Sequence, residues 1–234
     1  MPGPLYVIPD IHGQLGKLDR ALSLIERDAG PEARIVFLGD YVDRGPDSRG
    51  VLQRLVDGME AGRPWTLLRG NHEAMMLEAL AADDPPGKRG RLSWFNEHVS
   101  GETLASYGLS RHDSSATIHQ AIPQAHLDLI GQTKLWHATE SLILVHAGLR
   151  PGVALPDQSV EDILWIREPF LSDRSDHGRL VVHGHSAVPW PEHHGNRVAL
   201  DGGAGWDRAL HVAVFEGRDC WLLGGHGRRS LPAP

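Results

Sequence analysis

The chain of 234 residues contains one cysteine, Cys220, and no apolar run long enough to cross a membrane. A single thiol cannot build an internal disulfide framework, which favours a reducing, cytoplasmic setting. A bilayer span needs about 20 apolar residues, and the N-terminus lacks the charged and apolar regions of a secretory leader. We therefore expect a cytoplasmic protein without a membrane partner, in which Cys220 is a small buried side chain of a strand.

Positive charge is also in short supply. Lys and Arg number 23 against 30 Asp and Glu, so the formal net charge is −7. A protein that binds nucleic acid regardless of sequence needs a basic face, and we expect no nucleic-acid partner here. The residues present in unusual number are 15 His and 27 Gly. This composition is compatible with a metal site.

Apolar strands alternate with helical periodicity in the first half of the chain. This alternation predicts parallel strands joined by crossover helices, and hence an α/β fold. In the second half, predicted strands follow one another without helices between them, and we expect antiparallel pairing there. We expect one domain at 1–224, a helical insertion at about 83–133 and a disordered tail at 225–234.

Polar side chains of the metal-ligand type follow five predicted strands directly. They are Asp10 and His12, then Asp40 with Asp43 and Arg44, then Asn71 and His72, then His146, then His183 and His185. Carboxylate, imidazole and amide oxygen suit a borderline divalent ion such as Mn, Fe or Zn. Each residue alone could be a helix cap or a core side chain, but five such strand ends in one chain predict a shared site for two cations.

The blocks that carry these residues resemble a known family. Asp-Ile-His-Gly at 10–13, Gly-Asp-Tyr-Val-Asp-Arg-Gly at 39–45, Arg-Gly-Asn-His-Glu at 69–73, His-Ala-Gly at 146–148 and Gly-His at 184–185 are similar, in order, to the signature blocks of the PPP-type, calcineurin-like metallophosphoesterases. That family includes serine/threonine protein phosphatases, a bacterial and phage-type branch, and symmetrical diadenosine tetraphosphate hydrolases. The resemblance implies a four-layer α/β-β-α sandwich of two mixed sheets.

The resemblance also implies roles for single residues. It implies two divalent ions, with manganese favoured and iron or zinc open, held by Asp10, His12, Asp40, Asn71, His146 and His185, of which Asp40 bridges the two. His72 would lie near the leaving oxygen with Asp43 orienting its ring. The candidates for phosphate contact are Arg44, Arg69 and Arg167. Arg167 belongs to the block Trp-Ile-Arg-Glu at 165–168, which resembles a block of the bacterial branch.

The function that follows is hydrolysis of a phosphoester by a hydroxide that bridges two metal ions. Glu73 and the block at 165–168 favour a serine/threonine-type protein phosphatase acting on phosphorylated proteins. The alternative is a symmetrical hydrolase of dinucleoside polyphosphates, which needs a platform for a base. Trp94, Phe95, Tyr107 or Arg91 of the insertion could provide that platform. A catalytically silent metal-binding module is disfavoured, because no expected ligand is missing.

Overall fold

Two mixed β-sheets organise the fold of the computed structural model, which describes residues 3–81, 94–95 and 97–234. The strands are β1 (Leu5–Ile8), β2 (Arg34–Phe37), β3 (Trp65–Leu67), β4 (Trp136–Ala138), β5 (Leu142–Val145), β6 (Leu180–His183), β7 (Glu192–His193), β8 (Arg197–Ala199), β9 (Val212–Glu216), β10 (Asp219–Gly224) and β11 (Gly227–Ser230). The helices are α1 (Leu15–Ala29), α2 (Ser48–Glu60), α3 (Asn71–Ala81), α4 (Glu97–Ser106), α5 (Ser115–Ala121), α6 (Gln124–Gly131) and α7 (Val160–Trp165). Short 3₁₀ turns lie at Leu155–Asp157 and Ala204–Trp206.

The first sheet has the strand order β11-β10-β9-β1-β2-β3, and the second has the order β4-β5-β6-β8-β7. Strands β1, β2 and β3 are parallel to one another, whereas β9, β10 and β11 are antiparallel to their neighbours. In the second sheet β5, β6 and β8 are parallel, and the edge strands β4 and β7 are antiparallel. Both sheets are therefore mixed, as the resemblance implies.

Alternating side chains of the central strands define four layers. Leu5 and Val7 of β1 share a buried cluster with Leu142 and Leu144 of β5, so this cluster lies between the two sheets. Tyr6, which lies between Leu5 and Val7 in β1, points to the opposite face of the sheet and packs with the helices of the first half. On the far side, Ile143 and Val145 of β5 pack with Ile163 and Leu164 of α7. This period-two alternation, with both faces buried, produces the expected α/β-β-α sandwich.

Helix α2 shows how local sequence fixes an element of the outer layer. The side chain of Asp47 accepts a hydrogen bond from the Gly50 backbone N–H at 2.7 Å and so caps the helix. Gly58 of this helix lies against the Trp65 ring, and a Cβ there would overlap the indole. Helices α1 and α2 thereby cover the sheet beside the ends of β1 and β2.

The prediction of antiparallel pairing in the second half is confirmed for β4–β5, β7–β8, β9–β10 and β10–β11, but it is wrong for the centre of the second sheet. Helix α7 lies between β5 and β6, and β5–β6 and β6–β8 are parallel pairs. The six residues of α7 are too few to show a helical period in the sequence. Its start is fixed by a cap, since the Ser159 hydroxyl accepts from the Asp162 N–H at 3.0 Å. The connection from β6 to β8 contains only the short strand β7.

The tail also differs from the expectation of a disordered 225–234. Strand β11 at Gly227–Ser230 pairs with β10. Its side chains are exposed, so no apolar pattern marks it in the sequence. It is held by backbone pairing and by Arg228, whose guanidinium donates to Asp28 at 2.9 Å and to Glu216 at 2.6 Å. Cys220 of β10, in contrast, is buried as predicted.

Helices α4, α5 and α6 fall within the predicted insertion, of which residues 82–93 and 96 lie outside the described part of the chain. Leu104, Ile118 and Ile130 of these helices join the same buried cluster as Leu18 of α1. The boundaries of a single domain stay a prediction. Among the described residues, none of the helices combines the length and the hydropathy that a membrane crossing requires.

Candidate functional site

Polar residues converge where the parallel strands of both sheets end. Asp10 and His12 follow β1, Asp40 follows β2, and Asn71 begins α3 just after β3. His146 follows β5 and His185 follows β6, and all six side chains are buried. His12, Asp40 and His185 adopt positive φ angles of 48°, 52° and 61°. Such angles are uncommon outside glycine and concentrate at functional sites, where packing holds the strained backbone.

One half of the cluster is built around His12. Its Nδ1 lies 2.8 Å from the Val42 carbonyl oxygen, which can only accept, so Nδ1 carries the proton. The lone pair of Nε2 then faces Asp40 Oδ2 at 3.4 Å and Asp10 Oδ2 at 4.0 Å. Burial lowers the pKa of His12 well below its ordinary value, although Asp40 opposes the shift. A neutral imidazole beside two carboxylates is a donor set for a divalent cation.

The other half is built around Asn71. Its Oδ1 lies 2.9 Å from His146 Nε2 and 3.0 Å from His185 Nδ1. His146 Nδ1 donates to the Leu38 carbonyl at 3.0 Å, which leaves a lone pair on Nε2. Burial lowers the pKa of both rings, that of His185 to about 3, so both are neutral. His146 Nε2 and Asn71 Oδ1 are thus two acceptors that face each other with no proton to share. A cation bound by both atoms would satisfy them.

Asp40 joins the two halves. Its Oδ2 faces His12, while its Oδ1 lies 3.5 Å from His146 Nε2 and accepts the His72 backbone N–H at 3.1 Å. Burial opposes its ionisation, but protonation of the surrounding histidines, most readily of His72, holds its pKa below the usual range. Asp40 therefore belongs to two groups of potential ligands, one with His12 and His72 and one with His146 and His185. Within each group the donor atoms lie within 4.8 Å of one another.

Negative charge is crowded on the Asp10 side of the site. Burial, followed by the charges of Asp201 and Asp40, raises the pKa of Asp10 well above its ordinary value. Asp201 makes one hydrogen bond, in which its Oδ1 accepts from the Gly203 N–H at 2.8 Å. Its buried Oδ2 has no hydrogen-bond partner among the described atoms. Cations bound at this cluster would offset the repulsion between these carboxylates. The residues present therefore fit a two-metal group.

His72 and Asp43 form a hydrogen-bonded pair beside the cluster. His72 Nδ1 donates to Asp43 Oδ2 at 2.6 Å. Burial opposes protonation of the ring, but Asp40 and Asp43 raise the pKa of His72 above its ordinary value. The insertion completes the surroundings of Asp43, because Thr103 Oγ1 donates to Oδ1 at 2.7 Å and Trp94 Nε1 lies 3.2 Å from both carboxylate oxygens. Thr103 was not predicted as part of the site, because no motif marks it in the sequence.

Arg44 reaches into the space between the cluster and the His72 pair. Its Nη1 lies 2.5 Å from His12 Nε2, and its Nη2 lies 3.3 Å from His72 Nε2. Its guanidinium carbon also lies 4.1 Å from the centre of the Trp206 ring. The structure thus brings Arg44 to Nε2 of His72, the ring nitrogen that is not bonded to Asp43.

The other two predicted arginines lie farther from the cluster. Arg69 Nε donates to Thr133 Oγ1 at 3.0 Å, and its Nη2 donates to the Gly131 carbonyl at 2.8 Å, so the side chain binds the end of α6. Arg167 is exposed after α7, and its charge contributes to lowering the pKa of His185 after burial and His146. Neither guanidinium contacts the six converging side chains in the described structure.

Two further predicted positions are structural in this arrangement. The buried ring of His183 packs against Phe170 with ring centres 5.1 Å apart, away from Asn71. Glu73, which in the sequence favours a protein phosphatase, has a carboxylate that accepts four backbone N–H groups, from Asp40, Tyr41, Val42 and Gly70, at 2.7–3.2 Å. Burial and the charge of Asp40 raise the pKa of Glu73 to about 7.

The aromatic residues considered as a platform for a base do not reach the surface. Trp94 is 1% exposed, and Phe95 and Tyr107 are each 8% exposed, because all three belong to the main buried cluster. Arg91 lies outside the described residues. The structure therefore removes Trp94, Phe95 and Tyr107 as stacking partners of a substrate base.

Comparisons with known proteins agree with this geometry. Residues 3–226 match the family described as calcineurin-like phosphoesterase. A symmetrical bis(5'-nucleosyl)-tetraphosphatase of Nitrosomonas europaea is 30% identical over 188 residues, which are 78% of this chain and 60% of that protein. The chain thus spans less than two thirds of the length of this relative. Serine/threonine-protein phosphatase 2 of Escherichia coli is 37% identical over 81 residues, which are 34% of each chain.

The same fold occurs in a crystal structure of a proposed diadenosine tetraphosphatase. The two structures superpose with a TM-score of 0.69 and cover 94% of this chain and 93% of the other, at 22% identity. That identity supports the fold alone. With the family match over almost its whole length, the chain belongs to the calcineurin-like phosphoesterases, a family of hydrolases.

Proposed function

We propose that this protein is a two-metal phosphoester hydrolase that cleaves dinucleoside polyphosphates symmetrically. The observation that carries the substrate class is the length of the match to the tetraphosphatase, 78% of this chain. A match of that length necessarily includes the insertion and strands β4 and β5. The match to the protein phosphatase covers 34% of the chain, too little to include both Asp10 and His185.

This proposal reverses the order expected from the sequence. Glu73 favoured a protein phosphatase, but its carboxylate binds four backbone N–H groups of the loop that carries Asp40. A residue with that structural task gives no information about the substrate. Arg167 of the block at 165–168 is exposed, and its charge acts on His185. The phosphate contact proposed for it would serve either substrate.

The six converging side chains would hold the two ions. Asp10, His12 and Asp40 would bind one, and Asp40, Asn71, His146 and His185 would bind the other, with Mn, Fe and Zn all suited to these donors. When bound, two such ions lower the pKa of a coordinated water towards ~7 and offset the charge of the phosphoryl oxygens. Asp40 could serve both ions because its Oδ2 faces His12 in one half of the cluster and its Oδ1 faces His146 in the other.

The remaining residues manage protons and phosphate charge. His72 keeps one ring proton on Nδ1 for Asp43, so Nε2 is the atom that delivers a proton to the leaving oxygen. Arg44 is the first candidate for phosphate contact, because its guanidinium lies beside His12 and His72 and a guanidinium can bind two phosphoryl oxygens at once. Arg167 is the second candidate for phosphate contact. Arg69 uses Nε and Nη2 for its hydrogen bonds at the end of α6. Contact of its Nη1 with a phosphate stays a prediction.

Product analysis tests the substrate class. The manganese-loaded protein is given diadenosine tetraphosphate and, separately, a panel of phosphoserine and phosphothreonine peptides. We expect ADP as the sole nucleotide product and a higher kcat/KM for the dinucleotide. A higher kcat/KM for any peptide, or release of ATP and AMP, would overturn the proposal. His72→Asn protein from the same purification controls for contaminating phosphatases.

A protein phosphatase is the second candidate function. The observation in its favour is the local identity of 37% to the Escherichia coli enzyme, which exceeds the 30% of the longer match. The cluster itself recognises only a phosphoester, because its donors are metal ligands, a proton donor and a guanidinium. The peptide arm of the same experiment therefore decides between the two.

A further inference from the structure

One exposed aromatic ring lies directly beside the candidate site. Trp206 ends the short turn at Ala204–Trp206, and 54% of its surface is open to solvent. Its ring centre is 4.1 Å from the guanidinium carbon of Arg44, which in turn contacts His12 and His72. Trp136 and Trp190 are also exposed, but no contact recorded for them within the described residues involves the cluster.

The ring of Trp206 is held in place by the backbone of its turn rather than by burial. The Trp206 N–H donates to the Gly203 carbonyl at 2.9 Å. Lys17 of α1 donates to the Ala204 carbonyl at 3.1 Å and to the Arg208 carbonyl at 2.9 Å. An indole left this exposed gains little from the hydrophobic effect, and the Arg44 guanidinium over its ring is the contact that joins it to the cluster.

Packing fixes the same turn against the cluster. Gly205 lies so close to the site that a Cβ on it would be 2.9 Å from His12 Cβ and 3.0 Å from Arg44 Cδ. A larger residue at this position would push the turn away from the candidate metal ligands. Trp206 therefore keeps a defined position relative to the groups that would act on a phosphate.

We propose that Trp206 is the platform on which a base of the substrate stacks. This inference rests on the proposed function, because only a nucleotide substrate brings a base. A nucleotide carries its base and its phosphates on opposite sides of a ribose. The Arg44 guanidinium lies over the Trp206 ring, and the exposed part of the indole offers an aromatic surface to a base. Stacking on an aromatic ring tolerates any base, since every base has a π-face. The platform thus selects nucleotides as a class.

Substitution of Trp206 in the full-length, manganese-loaded protein tests the platform. The readout is the ratio of kcat/KM for diadenosine tetraphosphate to kcat/KM for a phosphoserine peptide without aromatic residues. We expect Trp206→Ala to lower this ratio about tenfold, equivalent to about 1.4 kcal/mol, mainly through the KM of the dinucleotide. Trp206→Phe should restore most of the ratio, and Trp136→Ala, which removes an exposed indole elsewhere, should keep the wild-type ratio.

The possible results separate the two proposals. If the wild type cleaves the dinucleotide and Trp206→Ala keeps the wild-type ratio, the platform is wrong and the proposed function stands. If both substrates lose activity equally, Trp206 acts through Arg44 and the platform is again wrong. If the wild type cleaves only the peptide, the proposed function fails and the platform fails with it. Competitive inhibition gives a second readout: the inhibition constant of ADP should rise in Trp206→Ala, and that of pyrophosphate should not.

Discussion

Removal of the Thr103 hydroxyl tests whether the helical insertion supports catalysis. Thr103 lies on α4, and its Oγ1 donates to Asp43 Oδ1 at 2.7 Å and accepts the Asp43 backbone N–H at 2.8 Å. Asp43 Oδ2 in turn accepts from His72 Nδ1 at 2.6 Å. Thr103→Val keeps the shape of the side chain and removes only the hydroxyl. We propose on this basis that Thr103 is a positioning residue that acts on His72 through Asp43.

The size of the effect follows from the burial of Asp43. A hydrogen bond to a charged group has a net value of about 1.5–3 kcal/mol. In Thr103→Val the carboxylate keeps His72 and the longer contact with Trp94 at 3.2 Å. We therefore expect kcat to fall about tenfold, equivalent to about 1.4 kcal/mol, with little change in KM.

A shift in the pH–rate profile should accompany the loss of turnover. Burial raises the pKa of Asp43, and the bonds from His72, Thr103 and Trp94 counter that rise. With one donor fewer, the carboxylate binds the ring proton of His72 more tightly. The pKa of His72 should then rise further, and the alkaline limb of the profile should move to higher pH.

Steady-state kinetics and a pH–rate profile of three variants measure these effects. Thr103→Ser retains the hydroxyl and should recover most of the turnover. Thr117→Val, on the exposed surface of α5, is the matched control and should behave as the wild type. The reasoning is refuted if Thr103→Val turns over at the wild-type rate, or if Thr103→Ser is as impaired as the valine variant, which would assign the effect to packing.

Two further predictions concern the cations and the tail. Asp40→Asn should lower the content of both metal ions, measured by elemental analysis of the dialysed protein, because one carboxylate faces both halves; a full complement of two ions would contradict this. Arg228→Leu should lower the free energy of unfolding by about 1–2 kcal/mol, because the bonds to Asp28, Glu216 and the Tyr6 hydroxyl are lost. Burial raises the pKa of Asp28, but the hydrogen bonds from Tyr6 and Arg228 outweigh burial and hold this pKa below its ordinary value. The stabilisation from ionised Asp28 is therefore fully present above the unfolded pKa of about 3.9, and it is lost as the pH falls through the pKa of Asp28 in the folded protein. Denaturation curves should accordingly show the stabilities of the wild type and the variant converging in acid.

The converging residues of the site were predictable because each one follows an apolar strand directly. Asp10, Asp40 and His146 all come within three residues of a strand end. In a sheet with parallel strands such ends lie at one edge, where open α/β folds place their sites. Local sequence therefore carried most of the information about which side chains meet.

Contacts between distant positions carried no such signal. Trp94 and Thr103 meet Asp43 across 51 and 60 positions, and Lys17 meets the Ala204 carbonyl across 187. Each is a common residue in an unremarkable stretch, so only the packed structure shows its task. Trp94 illustrates the consequence, because the sequence suggested an exposed ring and the structure uses its buried N–H.

The start of α3 explains why four consecutive residues, at 70–73, serve three tasks. The His72 N–H is free of intrahelical bonding in the first turn of the helix, and it donates to Asp40 Oδ1 at 3.1 Å, where the positive end of the helix favours an anion. Gly70 permits this approach, because a Cβ there would collide with Asp40. Asn71 and His72 then face the cluster, while Glu73 binds the backbone of the loop at Asp40. The Asp40 carboxylate is thus held by a helix terminus, and its backbone by the buried carboxylate of Glu73 in the same helix, so its position does not depend on the cations it would bind.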